Sequence, residues 1–383
     1  MKDKQKQGFT LIEALLVIAI IGVLTSMSLL VLADAANSAK VSRAKVQIRK
    51  INDLVMDRWE SFETRPIPFK LDTNLFPALL DPRNAARVRL YAIRELMRLE
   101  LPDRFTDITA GSVNVTVPMD NGTTVNFSIG NNSLNDFYQR NITATATTQF
   151  QGAECLYMVL ASIQDEYGNG LDAFSDDEIG DLDGDGMPEI QDPWGMPIEF
   201  LRWAPGFSEL ASDYEGVIGQ WSSAPALPDT VYPTTRQRSP IQSNNSIDDP
   251  DPFDPLSTDP RLNRVTTITT PPFDDPADNN ARNDTFRLVP LIYSAGPNRS
   301  YDVWRRDEED FDFYDFGSGF TLINYTATPP MDAQLLNDPY AGRGLGAGPA
   351  NDDTPSVGFR IDIDGDQIEG YIDNIDNHFG LEN

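Results

Sequence analysis

The chain has 383 residues, with 59 acidic side chains against 30 basic ones and a formal net charge of −29. Such an acidic surface excludes a simple nucleic-acid-binding protein, because contacts with phosphate groups need a basic footprint. The single cysteine, Cys155, excludes an intrachain disulfide, and its apolar helical neighbours predict a packed thiol rather than a nucleophile.

The first element in chain order is an apolar segment that begins at Phe9 and ends at Leu32. Glu13 is its only charged residue, and a helix of that length, about 36 Å, is long enough to cross a membrane. Residues 1–8 are rich in lysine, which predicts that this short arm stays in the cytoplasm. A carboxylate inside such a segment costs roughly 2.5–3.5 kcal/mol to insert, so we expect it to have a partner charge.

Three interpretations of this segment are open. A cleaved secretory signal peptide would explain the basic start, but the apolar run is longer than the usual ~7–15 residues. A plain transmembrane anchor would leave Glu13 as an interfacial charge that reaches water. The third interpretation is a resemblance: the signal of type IV prepilins and type II secretion pseudopilins is similar to Gly8-Phe9-Thr10-Leu11-Ile12-Glu13 and the apolar residues that follow.

The resemblance implies a route of processing and assembly. In that family a membrane prepilin peptidase cuts after the glycine, here Gly8, and methylates the new amino terminus, here Phe9. The glutamate, here Glu13, meets the amino terminus of a neighbouring subunit, which neutralises two charges in an apolar bundle. The implied partners are the peptidase, other pilin-like subunits, the inner-membrane assembly machinery and the membrane. The implied location is the bacterial cytoplasmic membrane, with a single pass and the head outside the cytoplasm, and then an envelope or surface fibre.

Residues 33–65 are predicted to continue the helix as an amphipathic half. Apolar residues recur there at spacings of three and four, which predicts a stripe packed on a head domain. Pro66 and Pro68 end the helix. The stripe consists of Val41, Ala44, Ile48, Ile51, Val55, Trp59 and Phe62.

Residues 66–383 are predicted to form an acidic head domain. One helix is expected from Asn84 to Leu101, with its arginines on the polar side, and another from Glu154 to Glu166. Alternating segments around Asn121-Gly122 predict a β-hairpin, and further strands are expected at residues 197–203, at 286–294 and after Phe359. The predicted fold class is α+β: a long N-terminal helix packed on an antiparallel-sheet head, pilin-like, with a long irregular insertion.

The insertion covers residues 223–284, approximately. It is rich in proline, aspartate, asparagine and threonine, which predicts a surface segment that is partly disordered. A variable binding loop on a rigid scaffold is the alternative.

Two acidic segments have the spacing of a calcium loop. In the first, carboxylates fall at positions one, three, five and twelve, and Gly186 at position six allows the sharp turn that wraps the backbone around an ion. In the second, Gln367 replaces that glycine. A solvated acidic turn is the alternative for both. The candidate calcium ligands are Asp181, Asp183, Asp185, Glu189 and Asp192 in the first segment, and Asp362, Asp364, Asp366 and Asp373 in the second.

A second resemblance concerns the segment from Asp192 to Pro197 and the later turn from Tyr293 to Asn298. Both resemble parts of the carboxy-terminal region of major pseudopilins, a family with a calcium site in that region. The predicted function is therefore structural: a pilin-like subunit of a type II secretion-like pseudopilus or a type IV-like pilus. No enzyme is expected, because no convergent acid, base and nucleophile stand out around the only histidine, His378. The alternative is a membrane-anchored surface binding protein or adhesin that uses the same export signal.

Overall fold

The structure is a computed structural model that describes most of the N-terminal half of the chain and several later segments. The described residues are 11–68, 77–119, 121–165, 168–204, 251–256, 258–259, 288–301, 303 and 375–377. Gly8, Phe9, His378, the strand expected after Phe359 and most of the insertion lie outside these ranges.

Helix α1 (Leu11–Thr64) is one continuous helix that ends just before Pro66, as predicted. Its second half lays the predicted stripe on the head: six of the seven residues are buried, and Val41 packs on them half-buried. Lys50 lies beside this stripe, and its Nζ lies over the ring of Phe174, 5.7 Å from the ring centroid. The stripe is the main hydrophobic contact between α1 and the head, so apolar burial attaches the helix to the head.

The described head residues form four further α-helices, nine short strands and three 3₁₀ turns at Pro77–Leu80, Gly170–Ala173 and Asp176–Glu178. The helices are α2 (Pro82–Glu100), α3 (Phe105–Thr109), α4 (Ser133–Asn141) and α5 (Gln151–Ser162). The strands are β1 (Val115–Pro118), β2 (Thr124–Phe127), β3 (Gln164–Asp165), β4 (Gly168–Asn169), β5 (Ile179–Gly180), β6 (Glu189–Ile190), β7 (Glu199–Leu201), β8 (Leu291–Ser294) and β9 (Ile375–Asp376). The mixture confirms the predicted α+β class.

Every strand pair in the described residues is antiparallel, but the strands form four small sheets rather than one. The three-stranded sheet β7-β8-β9 lies under α1. Ile292 of β8 faces the core beneath α1, whereas its neighbours Leu291 and Tyr293 pack in a separate cluster on the other face. The amide of Asn377 also donates to Asn52, which joins the last described strand to α1.

Helix α2 and the predicted hairpin form a second hydrophobic cluster. The helix begins after Asp81, whose side chain accepts the backbone N–H of Arg83, and Pro82 occupies the first helical turn. Strands β1 and β2 pair around Asn121-Gly122, and Gly122 has the positive φ of +78° that the turn requires. Both elements were predicted correctly because their signals are local.

The prediction for the arginines of α2 was wrong. Arg98 is fully buried: its guanidinium bonds to Glu95 at 2.8 Å and to the carbonyl oxygen of Asp107 at 2.9 Å. Asp107 in turn bonds to buried Arg202 at 2.8 Å. The helix therefore buries charge on the side that periodicity alone assigned to solvent, because carboxylates from other elements neutralise it.

The surface-insertion prediction was also wrong for its part at residues 251–259. Arg94 of α2, itself buried, bonds to buried Asp259 at 2.7 Å and to buried Asp251 at 3.2 Å. Phe253 packs edge-on against Trp59 of α1, with ring centroids 5.5 Å apart. Asp251, Phe253 and Asp259 are therefore part of the head's interior.

Candidate functional site: the apolar helix and the acidic loop

The first half of α1 is apolar, and none of its described side chains is buried against the head. Its described large side chains are all exposed, from Leu11, at 84%, to Leu32, at 66%. It is the one helix in the described part of the chain that is long and apolar enough to cross a membrane. Glu13 lies in the first turn of this helix. The same element thus has an uncovered apolar half and a half that is built into the head.

The acidic loop, residues 181–188, connects the paired strands β5 and β6. The carboxylate of Asp181 accepts the backbone N–H groups of Gly184 and Gly186, at 2.7 and 3.0 Å. Both glycines have positive φ angles, +78° and +91°, so the chain turns sharply where the spacing predicted. The loop therefore folds around its own carboxylates.

Asp181, Asp183 and Asp185 come together in this loop. One carboxylate oxygen from each lies within 4.8 Å of the others. The backbone N–H of Asp185 donates to Asp183, and that of Met187 donates to Asp185. Oxygens at this spacing are the ligands that Ca²⁺ takes in proteins, so the arrangement is one that a calcium ion fits.

A threonine segment before α5 holds the loop from outside. The hydroxyl of Thr143 donates to the carbonyl oxygen of Asp185 at 3.1 Å. The hydroxyl of Thr147 donates to Asp183 at 2.8 Å, and its backbone N–H donates to the carboxylate of Asp185 at 2.6 Å. Sequence reasoning missed this segment, although the alternation of Thr143, Thr145 and Thr147 is visible in the sequence.

A second carboxylate group lies on the inner side of the loop and includes a residue that the sequence did not indicate. Glu154 of α5 and Glu189 of β6, both fully buried, each place an oxygen within 4.8 Å of one on Asp183. Asp183 therefore belongs to both groups. The sequence assigned Glu154 to a helix but not to the site, because no local spacing connects it with residue 183.

The electrostatics of this inner group are unfavourable by themselves. Burial and, after it, the charges of Asp185, Asp183, Glu189 and Glu199 together raise the pKa of Glu154 to about 9. Burial also raises the pKa of Glu189 to about 7, although the backbone N–H of Leu182 opposes the rise. Two like charges 4 Å apart repel by about 4 kcal/mol at an effective dielectric constant of 20. A divalent cation would remove that repulsion.

The structure does not bring Asp192 into either carboxylate group. Its Oδ1 accepts the backbone N–H groups of Trp194 and Met196, both at 2.9 Å, and its Oδ2 accepts the hydroxyl of Ser294 at 2.6 Å. The prediction that Asp192 is the position-twelve ligand is thus at odds with its geometry. The Ser294 bond instead joins the two segments that the sequence singled out, around residues 192–197 and 293–298.

The remaining predicted residues have simpler outcomes. Cys155 is buried, and burial raises the pKa of its thiol well above the ordinary value, so it is the packed thiol that was predicted. The second acidic segment, with Asp362, Asp364, Asp366 and Asp373, lies outside the described residues and stays a prediction.

Comparison with known families gives one match. Residues 3–29 match the prokaryotic N-terminal methylation motif, which confirms the prepilin-type signal predicted from Gly8, Phe9 and Glu13. Comparisons with curated proteins and with solved structures gave no match. Together with the uncovered apolar half of α1, the prepilin-type signal indicates processing by a prepilin peptidase and anchoring in a membrane.

Proposed function

We propose that the protein is a structural subunit that assembles, after cleavage at Gly8, into a type II secretion-like pseudopilus or a type IV-like pilus. Before assembly, α1 spans the cytoplasmic membrane once and the head lies outside the cytoplasm. In the fibre, the apolar half of α1 packs against the same half of neighbouring subunits, and inner-membrane machinery drives the transfer. The proposal assigns no catalysis to the chain.

Helix α1 is the observation that supports this proposal. Its exposed apolar half needs a lipid or protein environment, because a contiguous apolar surface of this size is not stable in water. Its other half is fixed to the head by the buried stripe. Whatever binds the apolar half therefore positions the head, as a fibre subunit requires.

The test is Glu13→Val in the full-length chain, expressed with its assembly machinery. Losing one partner of a buried ion pair costs about 3–5 kcal/mol, so we expect assembled fibres to fall to background while membrane-bound subunit stays constant. Fibre yield is measured by shearing and sedimentation, and cleavage after Gly8 by mass spectrometry of the same samples. Glu60→Val is the matched control, since Glu60 is exposed on the same helix. Wild-type yield from Glu13→Val would refute the pairing, and wild-type chains that never form fibres would favour a membrane-anchored binding protein.

We also propose that the acidic loop binds calcium and stiffens the head. The support is the convergence of Asp181, Asp183 and Asp185 with the turn at Gly186, which matches the oxygen-rich coordination that Ca²⁺ requires. An ion bound only by the folded chain stabilises it by mass action. Removing calcium with a chelator should therefore lower the melting temperature of the head, and an unchanged melting temperature would contradict the proposal.

A further inference from the structure

Glu154 is a buried carboxylate with no hydrogen-bond partner among the described residues. Its side chain is 0% exposed, and neither of its oxygens accepts a hydrogen bond. It extends from α5 toward Asp183 and Glu189, which are also carboxylates. Buried carboxylates in proteins are normally paired or bound to metal, because burial without compensation is costly. Its surroundings therefore point to a cation as its partner.

Glu189 also has a buried carboxylate oxygen without a hydrogen-bond partner among the described residues. One of its oxygens accepts the backbone N–H of Leu182 at 3.1 Å. The other is buried and accepts nothing from the described residues. Three oxygens, two from Glu154 and one from Glu189, are thus free of hydrogen bonds in the same buried space beside Asp183.

The acidic loop itself supplies no ligand at position twelve of the calcium-loop pattern. In a calcium loop, the carboxylate at position twelve binds the ion through both of its oxygens. Here that residue is Asp192, and hydrogen bonds from Trp194, Met196 and Ser294 hold its carboxylate in a different turn. Glu154 approaches the loop from α5 and places a carboxylate oxygen within 4.8 Å of oxygens on Asp183 and Glu189.

We propose that Glu154 is a direct ligand of the calcium ion bound at Asp183, and that it closes the site from helix α5 in place of a position-twelve carboxylate. Glu189 contributes its free oxygen to the same ion. This inference rests on the proposed calcium binding by the acidic loop. The ion then connects the loop to α5, a helix whose residues Leu156 and Val159 are in the main core. Calcium binding thereby stabilises the head from its interior rather than one surface turn alone.

The experiment compares two variants of equal size, Glu154→Gln and Asp192→Asn, in the full-length processed protein in detergent micelles. Calcium is titrated calorimetrically, and melting temperatures are recorded in calcium and in chelator. Glu154→Gln should weaken calcium binding at least about 10-fold, since even residues that only orient metal ligands contribute 10–100-fold. Asp192→Asn should leave calcium affinity unchanged, because its carboxylate contacts the turn and not the ion.

A melting comparison separates a ligand from a merely structural residue. In chelator, Glu154→Gln should melt no lower than wild type, because the amide has the same size as the carboxyl group and costs no more to bury without a partner. In calcium, its melting temperature should fall below that of wild type. A structural role would lower the melting temperature equally in both conditions, and that result would overturn the proposal. If Glu154→Gln does not fold, Glu154→Asp keeps the charge with a shorter reach and should bind calcium with reduced affinity.

The outcomes distinguish this inference from the proposal beneath it. If Glu154→Gln binds calcium as tightly as the wild type does, Glu154 is not a ligand, but calcium binding by the loop still stands. Wild-type protein that neither binds calcium nor melts at a higher temperature with it would refute calcium binding by the loop as well. Weaker binding in Asp192→Asn with unchanged binding in Glu154→Gln would restore the position-twelve assignment and overturn ours.

Discussion

At the scale of single residues, Glu178 contrasts with Glu154 because its buried carboxylate is fully partnered. One oxygen accepts the amide of Gln47 at 2.8 Å and the guanidinium of Arg43 at 3.2 Å. The other accepts the backbone N–H and the hydroxyl of Ser175. Since Arg43 and Gln47 belong to α1, this one carboxylate joins the helix to the head next to the acidic loop.

Glu178→Gln should lower the free energy of unfolding by about 1–3 kcal/mol at pH 7, the usual effect of losing charged hydrogen bonds. Burial opposes ionisation, but the bonds from Ser175 and Arg43 outweigh it and hold the pKa of Glu178 below its ordinary value. A depressed folded-state pKa stabilises the protein above the unfolded-state pKa, and this stability is lost as the pH falls through the folded-state pKa. The deficit of the variant should therefore shrink toward zero in acid, measured by urea unfolding at neutral and acidic pH.

The control for Glu178 is Asp177→Asn. Asp177 contacts the same arginine at 3.0 Å but is exposed, so its substitution should have little effect at any pH. A deficit of Glu178→Gln that stays constant from neutral to acidic pH would show that the carboxylate's charge is not what stabilises the contact.

The acidic loop shows which part of a site can be predicted from sequence. Asp181, Asp183 and Asp185 are two residues apart, and backbone N–H groups of the loop itself donate to Asp181 and Asp183. Their convergence therefore has a local signal, and the bonds from Thr147 add to it from outside the loop. Glu154 reaches the loop only because α5 packs under it, and Ser294, far along the chain, helps to hold Asp192 in a different turn by donating to its carboxylate. Neither fact has a signal in the local spacing.

At the scale of elements, α2 shows the same limit in another form. Its start, its end and its apolar side follow from capping and periodicity, and the sequence predicted them. The burial of Arg94 depends on Asp251 and Asp259, which are 157 and 165 residues away in the chain. A stretch rich in proline and aspartate is predicted to lie on the surface. Two of its carboxylates can be buried only because α2 places the guanidinium of Arg94 beside them.

Arg94→Met should destabilise the head by about 3–5 kcal/mol, because Asp251 and Asp259 lose the cation that they share in a buried site. The loss should also loosen residues 251–259, so proteases should cut this segment faster. The measurements are urea unfolding and limited proteolysis followed by mass spectrometry.

Arg89→Met on the same helix is the matched control for Arg94. Arg89 makes one exposed hydrogen bond, to the carbonyl oxygen of Glu63, and its loss should cost less than about 1 kcal/mol. Equal stability losses in the two variants would mean that the ion pairs with Asp251 and Asp259 do not hold the segment in place.

At the scale of the whole molecule, the two halves of α1 have separate roles: one is exposed for contact with lipid or neighbouring subunits, and the other is packed in the head. The run of large exposed apolar residues that begins at Leu11 ends at Leu32, and the first buried residue of the stripe is Ala44. The residues between them bury nothing large, so the head's stability and the helix's attachment to lipid or to neighbours are separate properties. The sequence predicted this division because apolar composition and apolar periodicity are distinct patterns on one helix.

Removing residues 1–32 should therefore yield a water-soluble head that unfolds cooperatively at the melting temperature of the full-length chain in detergent. The deleted segment contributes no described side chain to the core, and its removal takes away the large exposed apolar surface that causes aggregation. A chain that begins at Ile48 is the control: it also loses Ala44 and the bonds of Arg43 and Gln47 to Glu178, so it should melt lower. The measurements are circular dichroism melting and size-exclusion chromatography. If the first truncation melted as low as the second, the apolar half of α1 would be a structural part of the head, and its proposed freedom to pack against neighbouring subunits would be wrong.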